Sequence, residues 1–241
     1  YDYDRLRELR PDLIYVSMPA FGNTGPWKGY VCYGIGQEQL AGMAHMTGYA
    51  GEGPMKSGIN HGDPITGSHA AGLLLAALRY RRRTGKGMLI DVSQQESSVT
   101  LLGADVLAYQ MTREEPERRG NRSPYFAPHN VYPCQGEDSW IAIAVEDDKQ
   151  WQALVLVLGT PIWTQGSRFA TGEGRYQHQE EIDTYLGQWT RDKEHRKVMI
   201  VLQEAGVPAG AVLRPDEMLD DPQLVHREFY RDIPGTDLKT T

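Results

Sequence analysis

Helices and strands are predicted to alternate through the first half of the sequence. The apolar runs 13–18 and 88–92 have the length and composition of buried strands. Between them, segment 64–83 has the spacing of a long helix, and it ends in basic residues before Gly85, as helix C-termini often do. A further helix is predicted over 94–111. Such alternation predicts an α/β domain with a largely parallel sheet.

The second half of the chain has a different pattern. Charged residues, Pro and Asn replace the apolar periodicity over 112–128, which indicates a linker. A strand hairpin near 131–145, three helices (about 147–158, 177–189 and 192–205) and a short strand over 207–213 follow, which is typical of an α+β module. We therefore expect a large α/β domain over 1–111, the linker, a small α+β domain over 129–213 and a second connecting segment over 214–241.

Composition restricts the function. The net charge of -7 argues against a nucleic-acid partner, and the longest apolar stretch, 70–78, is far shorter than the roughly 20 residues of a membrane span. Cys32 and Cys134 are isolated, which fits a reduced compartment, so we expect a cytoplasmic protein. The seven histidines show no HExxH spacing, and the sequence has no P-loop and no GxSxG elbow. We expect no metal site.

One carboxylate has an unusual setting. Asp63 stands between Gly62 and Pro64, directly before the predicted long helix. Because Pro64 has a backbone angle suited to the first helical turn, the pattern predicts that Asp63 is the N-cap. Such a residue is either a structural cap or an exposed nucleophile, and the residues alone favour the cap.

Short motifs rich in Gly, Pro and Asp lie along the whole chain. They are FGNTGP at 21–26, KGY at 28–30, GDPITGSH at 62–69, RRTGKG at 82–87, IDVS at 90–93, GVPAG at 206–210 and DDPQL at 220–224. In this order they resemble the signatures of the family III CoA-transferases, also called the CaiB/BaiF family. The resemblance implies part of a Rossmann-like large domain with a parallel sheet, plus a smaller α+β domain. It also changes the interpretation of Asp63, which becomes the expected nucleophile.

The resemblance implies a covalent mechanism. The family aspartate at the position of Asp63 attacks the thioester carbonyl of an acyl-CoA and forms a mixed anhydride. The CoA thiolate then forms an aspartyl-CoA thioester, which a carboxylic acid accepts, so that one difficult step becomes several easier ones. The substrates would be an acyl-CoA and an acid, with no other cofactor. Lys28, Tyr30 and Gly62 match family positions and are the predicted CoA- or substrate-binding residues.

The resemblance also implies an assembly. Family members form interlocked dimers in which each chain is a ring, and segments 112–128 and 214–241 resemble the outgoing and returning linkers of that ring. Compared with the family, the sequence reads as an internal fragment without the N-terminal CoA-binding segment and the C-terminal end. Segment 123–130 lacks the glycine-rich loop of formyl-CoA transferases, so we do not expect specificity for formyl-CoA and oxalate.

Two alternatives remain open. Alpha-methylacyl-CoA racemases resemble this family but use a histidine, partnered with the equivalent of Asp63, to move a proton next to the thioester. This chain has Tyr30 and Val31 where that histidine and its neighbour would stand, so transfer is favoured, although His61 could replace the base. The second alternative is a non-catalytic fragment that binds a partner or dimerises. The intact Asp63 motif argues against it.

Overall fold

The computed structural model describes residues 2–240, which divide into two compact units. The first unit ends at Gly120 and the second begins at Asn121. This division falls inside the segment that we predicted to be a linker, 112–128. The predicted second connecting segment, 214–241, belongs to the second unit and contains two short helices and a short pair of strands.

The first unit is mainly helical with two strands. Its helices and strands are α1 (Tyr3–Leu9), β1 (Ile14–Ser17), α2 (Gly34–Leu40), α3 (Met43–Met46), α4 (Gly62–Thr84), β2 (Met88–Asp91), α5 (Gln94–Val99), a 3-10 turn (Thr100–Leu102) and α6 (Gly103–Thr112).

The two strands of the first unit are parallel, as predicted. They pair in register from Ile14 opposite Met88 to Ser17 opposite Asp91. Helix α4 follows β1 in the chain and packs on both strands, which is the arrangement of a βαβ crossover. Small and β-branched side chains fill the space between helix and strands. The buried members of this core are Ala70, Ala77, Ile90 and Val92.

Helix α4 confirms the predicted long helix. It ends at Gly85, which adopts a left-handed conformation (φ 71°) and donates its N–H to the carbonyl of Arg81. Its sheet-facing positions are small residues, whereas Leu73 and Leu75 are exposed. The prediction of one continuous helix over 94–111 was wrong, because a 3-10 turn at Thr100–Leu102 separates α5 from α6.

The second unit combines an antiparallel sheet with helices. Its helices and strands are β3 (His129–Pro133), β4 (Trp140–Ala144), α7 (Asp148–Val157), 3-10 turns at Ile162–Gln165 and Ser167–Phe169, α8 (Gly172–Gln177), α9 (Gln179–Thr190), α10 (His195–Glu204), β5 (Ala209–Val212), α11 (Pro215–Leu219), α12 (Pro222–His226), β6 (Arg231–Asp232) and β7 (Lys239–Thr240).

The predicted hairpin forms the middle of this unit. Strands β3, β4 and β5 pair in that order, and all their pairings are antiparallel. One hydrophobic core joins the sheet to α7, α9 and α10, and its most buried members include Ile141, Leu154, Ile182, Leu186 and Leu202. The small α+β module is therefore confirmed. No helix among residues 2–240 is long and apolar enough to cross a membrane.

Candidate active site

Asp63 lies inside the first turn of α4. The helix begins at Gly62 and its N-cap is His61, so the prediction that Asp63 is the N-cap was wrong. The helix begins two residues earlier than the preference of Pro for the first helical turn predicted. The carbonyl of His61 already accepts a hydrogen bond from the N–H of Ile65 (3.1 Å). Asp63 is exposed, and no described residue donates a hydrogen bond to its carboxylate. The side chain is thus available for chemistry.

The start of α2 lies directly against the Asp63 carboxylate. Gly34 is the first residue of α2, and a Cβ placed there would clash with Oδ2 of Asp63 and lie 3.1 Å from Cβ of Asn60. Any larger residue at this position would have to displace the carboxylate. The amino-terminal ends of α2 and α4 therefore meet at Asp63.

Gly62 allows a second close approach between the same helices. A Cβ at Gly62 would lie 2.8 Å from Cβ of Gln37 in α2 and 3.4 Å from Oγ of Ser98 in α5. Gly62 is buried, and so is Gln37, whose side-chain amide has no hydrogen-bond partner among residues 2–240. Gly62 thus brings the start of α4 against α2 and α5. Its predicted contact with CoA or substrate stays a prediction.

A buried carboxylate holds the loop before Asp63. Glu38 is 1% exposed, and its oxygens accept hydrogen bonds from the N–H of Ser57 (2.8 Å), the hydroxyl of Ser57 (2.6 Å) and the N–H of His61 (2.7 Å). Burial by itself raises the pKa of Glu38, but these three hydrogen bonds outweigh it and the pKa is lowered from its usual value. Glu38 is therefore an ionised anchor.

The other predicted binding residues lie in the loop between β1 and α2. Lys28 and Tyr30 are both exposed. The ring of Tyr30 stacks on Trp27 at 6.2 Å between centroids, and Phe21 meets Trp27 edge-on at 5.6 Å. No hydrogen bond joins Lys28 or Tyr30 to Asp63 in the described chain. Tyr30 stands four positions before Gly34, which limits the distance between their Cα atoms to roughly 14 Å.

This loop forms a cavity at the carboxyl ends of the parallel strands. The cavity has a volume of about 390 Å³, and Asp91 at the end of β2 lines it together with Phe21, Trp27, Ser93 and Glu96. Asp91 also fixes the loop, because its carboxylate accepts hydrogen bonds from Asn23. Ligands of α/β proteins commonly bind at this edge of the sheet. Asp63 does not line this cavity.

Within residues 2–240, no group of three or more His, Cys, Asp or Glu side chains is arranged to hold a metal ion. The residues near Asp63 are glycines, amides, His61 and a second carboxylate, Glu38, whose oxygens are engaged by three donors. The arrangement is suited to nucleophilic catalysis by a single carboxylate.

The chain is similar to known proteins over its whole length. The model of CoA-transferase family III matches residues 1–241. The chain is 33% identical over 236 residues to succinyl-CoA--D-citramalate CoA-transferase of Chloroflexus aurantiacus and 30% identical over 236 residues to succinate--glutarate CoA-transferase of Agrobacterium fabrum. Each alignment covers 98% of this chain and 58% of the relative.

A solved structure shows the same fold. The crystal structure of a CaiB/BaiF family protein from Brucella suis matches with a TM-score of 0.88 and 28% identity, and the match covers 100% of this chain and 64% of that one. The chain belongs to CoA-transferase family III. It spans a little more than half the length of the two curated relatives.

The contact between Gly34 and Asp63 makes a testable prediction about stability. Alanine is favoured over glycine in a helix by about 1 kcal/mol, but at Gly34 the new Cβ meets the carboxylate of Asp63, and this contact should cost at least part of that gain. In an Asp63→Ala background the carboxylate is gone, so most of this cost should disappear and the two substitutions should couple. Urea unfolding of the four proteins of this double-mutant cycle measures the coupling.

Gly53 provides the matched control for this cycle. A Cβ at Gly53 would meet no atom within 4 Å, so Gly53→Ala should show no coupling to Asp63→Ala. Strict additivity of Gly34→Ala and Asp63→Ala would contradict the contact between the start of α2 and the carboxylate.

Proposed function

We propose that the full-length protein transfers CoA from an acyl-CoA thioester to a carboxylic acid, with Asp63 as the nucleophile. The carrying observation is the exposed Asp63 carboxylate, which accepts no hydrogen bond in the described chain although buried elements pack closely around it. Glu38, the neighbouring carboxylate, is instead buried and engaged by three donors. The relatives named as CoA-transferases support the same reaction class.

The reaction proceeds through intermediates on Asp63. An oxygen of its carboxylate attacks the thioester carbonyl and expels the CoA thiolate, leaving an acyl-aspartyl anhydride. The thiolate then attacks the aspartyl carbonyl of that anhydride, releases the donor acid and leaves an aspartyl-CoA thioester. The acceptor carboxylate then attacks the aspartyl-CoA thioester, expels the thiolate and forms an anhydride with Asp63. The thiolate finally attacks the acceptor carbonyl of that anhydride and releases the Asp63 carboxylate. The products are the new acyl-CoA and free Asp63.

The surroundings of Asp63 suit these steps. Each attack places negative charge on a carbonyl oxygen close to the amino-terminal ends of α2 and α4, where the positive ends of the helix dipoles stabilise anions. Pro64 has no N–H to contribute to this stabilisation. Lys28 and Tyr30 would contact the CoA moiety and the acyl thioester.

Asp63→Asn tests the nucleophile. The variant keeps the size of the side chain but cannot form the anhydride, so turnover in the full-length protein should fall at least 1,000-fold, on the scale typical of lost catalytic groups. Because Asp63 is exposed and does not cap α4, the free energy of unfolding should change by less than about 1 kcal/mol. Succinyl-CoA is the first donor to test, since both relatives carry succinate chemistry in their names.

Asp4 provides a control of the same type. It lies in the first turn of α1, is also exposed, and Asp4→Asn should retain full turnover. If Asp63→Asn kept more than a few per cent of normal turnover with unchanged affinity for acyl-CoA, another group would be the nucleophile.

The competing racemase reaction has its own test. Tyr30 is 64% exposed and stacks on Trp27, and a phenol is a poorer general base near neutral pH than an imidazole. We expect the full-length protein, incubated with a chiral 2-methylacyl-CoA in deuterium oxide, to incorporate deuterium at the alpha carbon far more slowly than it transfers CoA. Exchange at a rate comparable to transfer would favour the racemase and make His61 the candidate base.

We also propose that the full-length protein forms the interlocked dimer implied by the family resemblance and acts in the cytoplasm. Leu73 and Leu75 on α4 are exposed, and a dimer would remove such apolar surface from water. Both cysteines are free, which fits a reducing compartment. Light scattering should give twice the mass of one full-length chain. A stable monomer at micromolar concentration would refute the dimer.

A further inference from the structure

Glu38 is placed to control the position of Asp63. It is 1% exposed and is the fifth residue of the seven-residue helix α2. A buried carboxylate is costly unless it is well paired, and no cation lies among its hydrogen-bond partners. Its charge is balanced instead by two backbone N–H groups and one hydroxyl. The hydrogen-bond partners of Glu38 indicate what this buried carboxylate does.

The partners of Glu38 all belong to the loop that leads into α4. Ser57 is bound through both its N–H and its hydroxyl, and His61 through its N–H. His61 is the N-cap of α4, and Asp63 follows two residues later. Asn60, which lies between Ser57 and His61, is held in a left-handed conformation (φ 51°) that is uncommon for a residue other than Gly. Glu38 therefore fixes both ends of a tight turn beside Asp63.

Helix α2 contacts the Asp63 segment through two further residues. Gly34 meets the carboxylate of Asp63, Gln37 meets Gly62, and Glu38 binds the N–H of His61. These three residues of α2 stand at positions i, i+3 and i+4, which share one helix face. One face of α2 thus contacts three consecutive residues, His61 to Asp63.

We propose that Glu38 is a positioning residue, which holds the loop 57–61 on α2 so that the Asp63 carboxylate stays in its reactive orientation. The inference rests on the proposed function, because it concerns the rate at which Asp63 attacks the thioester. It assigns Glu38 no contact with the substrate. Small losses of orientation in a nucleophile lower rates strongly, since productive attack requires a narrow geometry.

The chemistry of the site identifies the informative substitution. All three partners of Glu38 are donors, and a carboxylate is an acceptor at both oxygens. Glu38→Gln keeps the shape, but its NH₂ group must face a donor, either the N–H of Ser57 or the pair from Ser57 and His61. At least one hydrogen bond is lost, and the loop moves while α2 keeps its packing.

A single-turnover experiment with the full-length protein tests the inference. The enzyme is mixed with excess acyl-CoA, quenched at intervals, and the covalent adduct on the Asp63 peptide is quantified by mass spectrometry. For Glu38→Gln we expect the rate constant of adduct formation to fall at least tenfold, with the final adduct yield and the KM for acyl-CoA within twofold of the wild type. Glu52→Gln, an exposed glutamate in the same unit, should match the wild type.

The rate constant and the final yield of the adduct distinguish a positioning role of Glu38 from a purely structural role. A merely structural role would lower the yield, because fewer molecules are folded, and leave the rate constant of the remainder unchanged; that result would overturn the proposal. A rate constant within twofold of the wild type would also overturn it. If Glu38→Gln does not fold, Ser57→Ala replaces it, since that substitution removes one hydroxyl donor and should lower the rate constant about threefold at full yield.

Asp63→Asn in the same assay distinguishes a failure of the proposed nucleophile from a failure of the proposed role of Glu38. If Asp63→Asn still transfers CoA, the nucleophile is misassigned and the proposed function fails. If Asp63→Asn forms no adduct while Glu38→Gln reacts at the normal rate, the nucleophile stands and only the positioning role of Glu38 is refuted.

Discussion

The close packing of α2 against the start of α4 is the constraint on which the site depends. Two glycines make it possible, because a side chain at Gly34 would meet the Asp63 carboxylate and one at Gly62 would meet Gln37. With the helices this close, Glu38 can reach the backbone of the loop before α4. The Asp63 carboxylate is exposed and lies against the buried Gly34. This combination is what nucleophilic catalysis requires.

Much of the fold could be predicted because local sequence patterns determine it. Strands 13–18 and 88–92 and the long helix between them follow from apolar periodicity, and their parallel pairing follows from the crossover rule. The hairpin of the second unit was equally visible. The segment 94–111 was predicted as one helix because apolar periodicity does not reveal the 3-10 turn that divides it.

The site was predictable only in part. The GDP motif and the family resemblance singled out Asp63, but the N-cap assignment failed because Asn60 and His61 turn the chain into the helix before Asp63. Gly34 and Glu38 were missed altogether. Their roles arise from contacts with residues 19 to 29 positions away in the sequence, and a helical Gly-Ile-Gly followed by Gln-Glu gives no local sign of its partners.

Oxygen transfer to Asp63 tests the central claim most directly. The full-length protein is allowed to turn over with an acyl-CoA and an acceptor acid whose carboxylate carries ¹⁸O, and the digested protein is then analysed by mass spectrometry. If the acceptor forms an anhydride with Asp63 and the thiolate then attacks the acceptor carbonyl, one labelled oxygen stays on the Asp63 side chain in each turnover. We predict ¹⁸O in the Asp63 peptide and localised to that residue. New acyl-CoA formed over many turnovers without label on Asp63 would contradict the account.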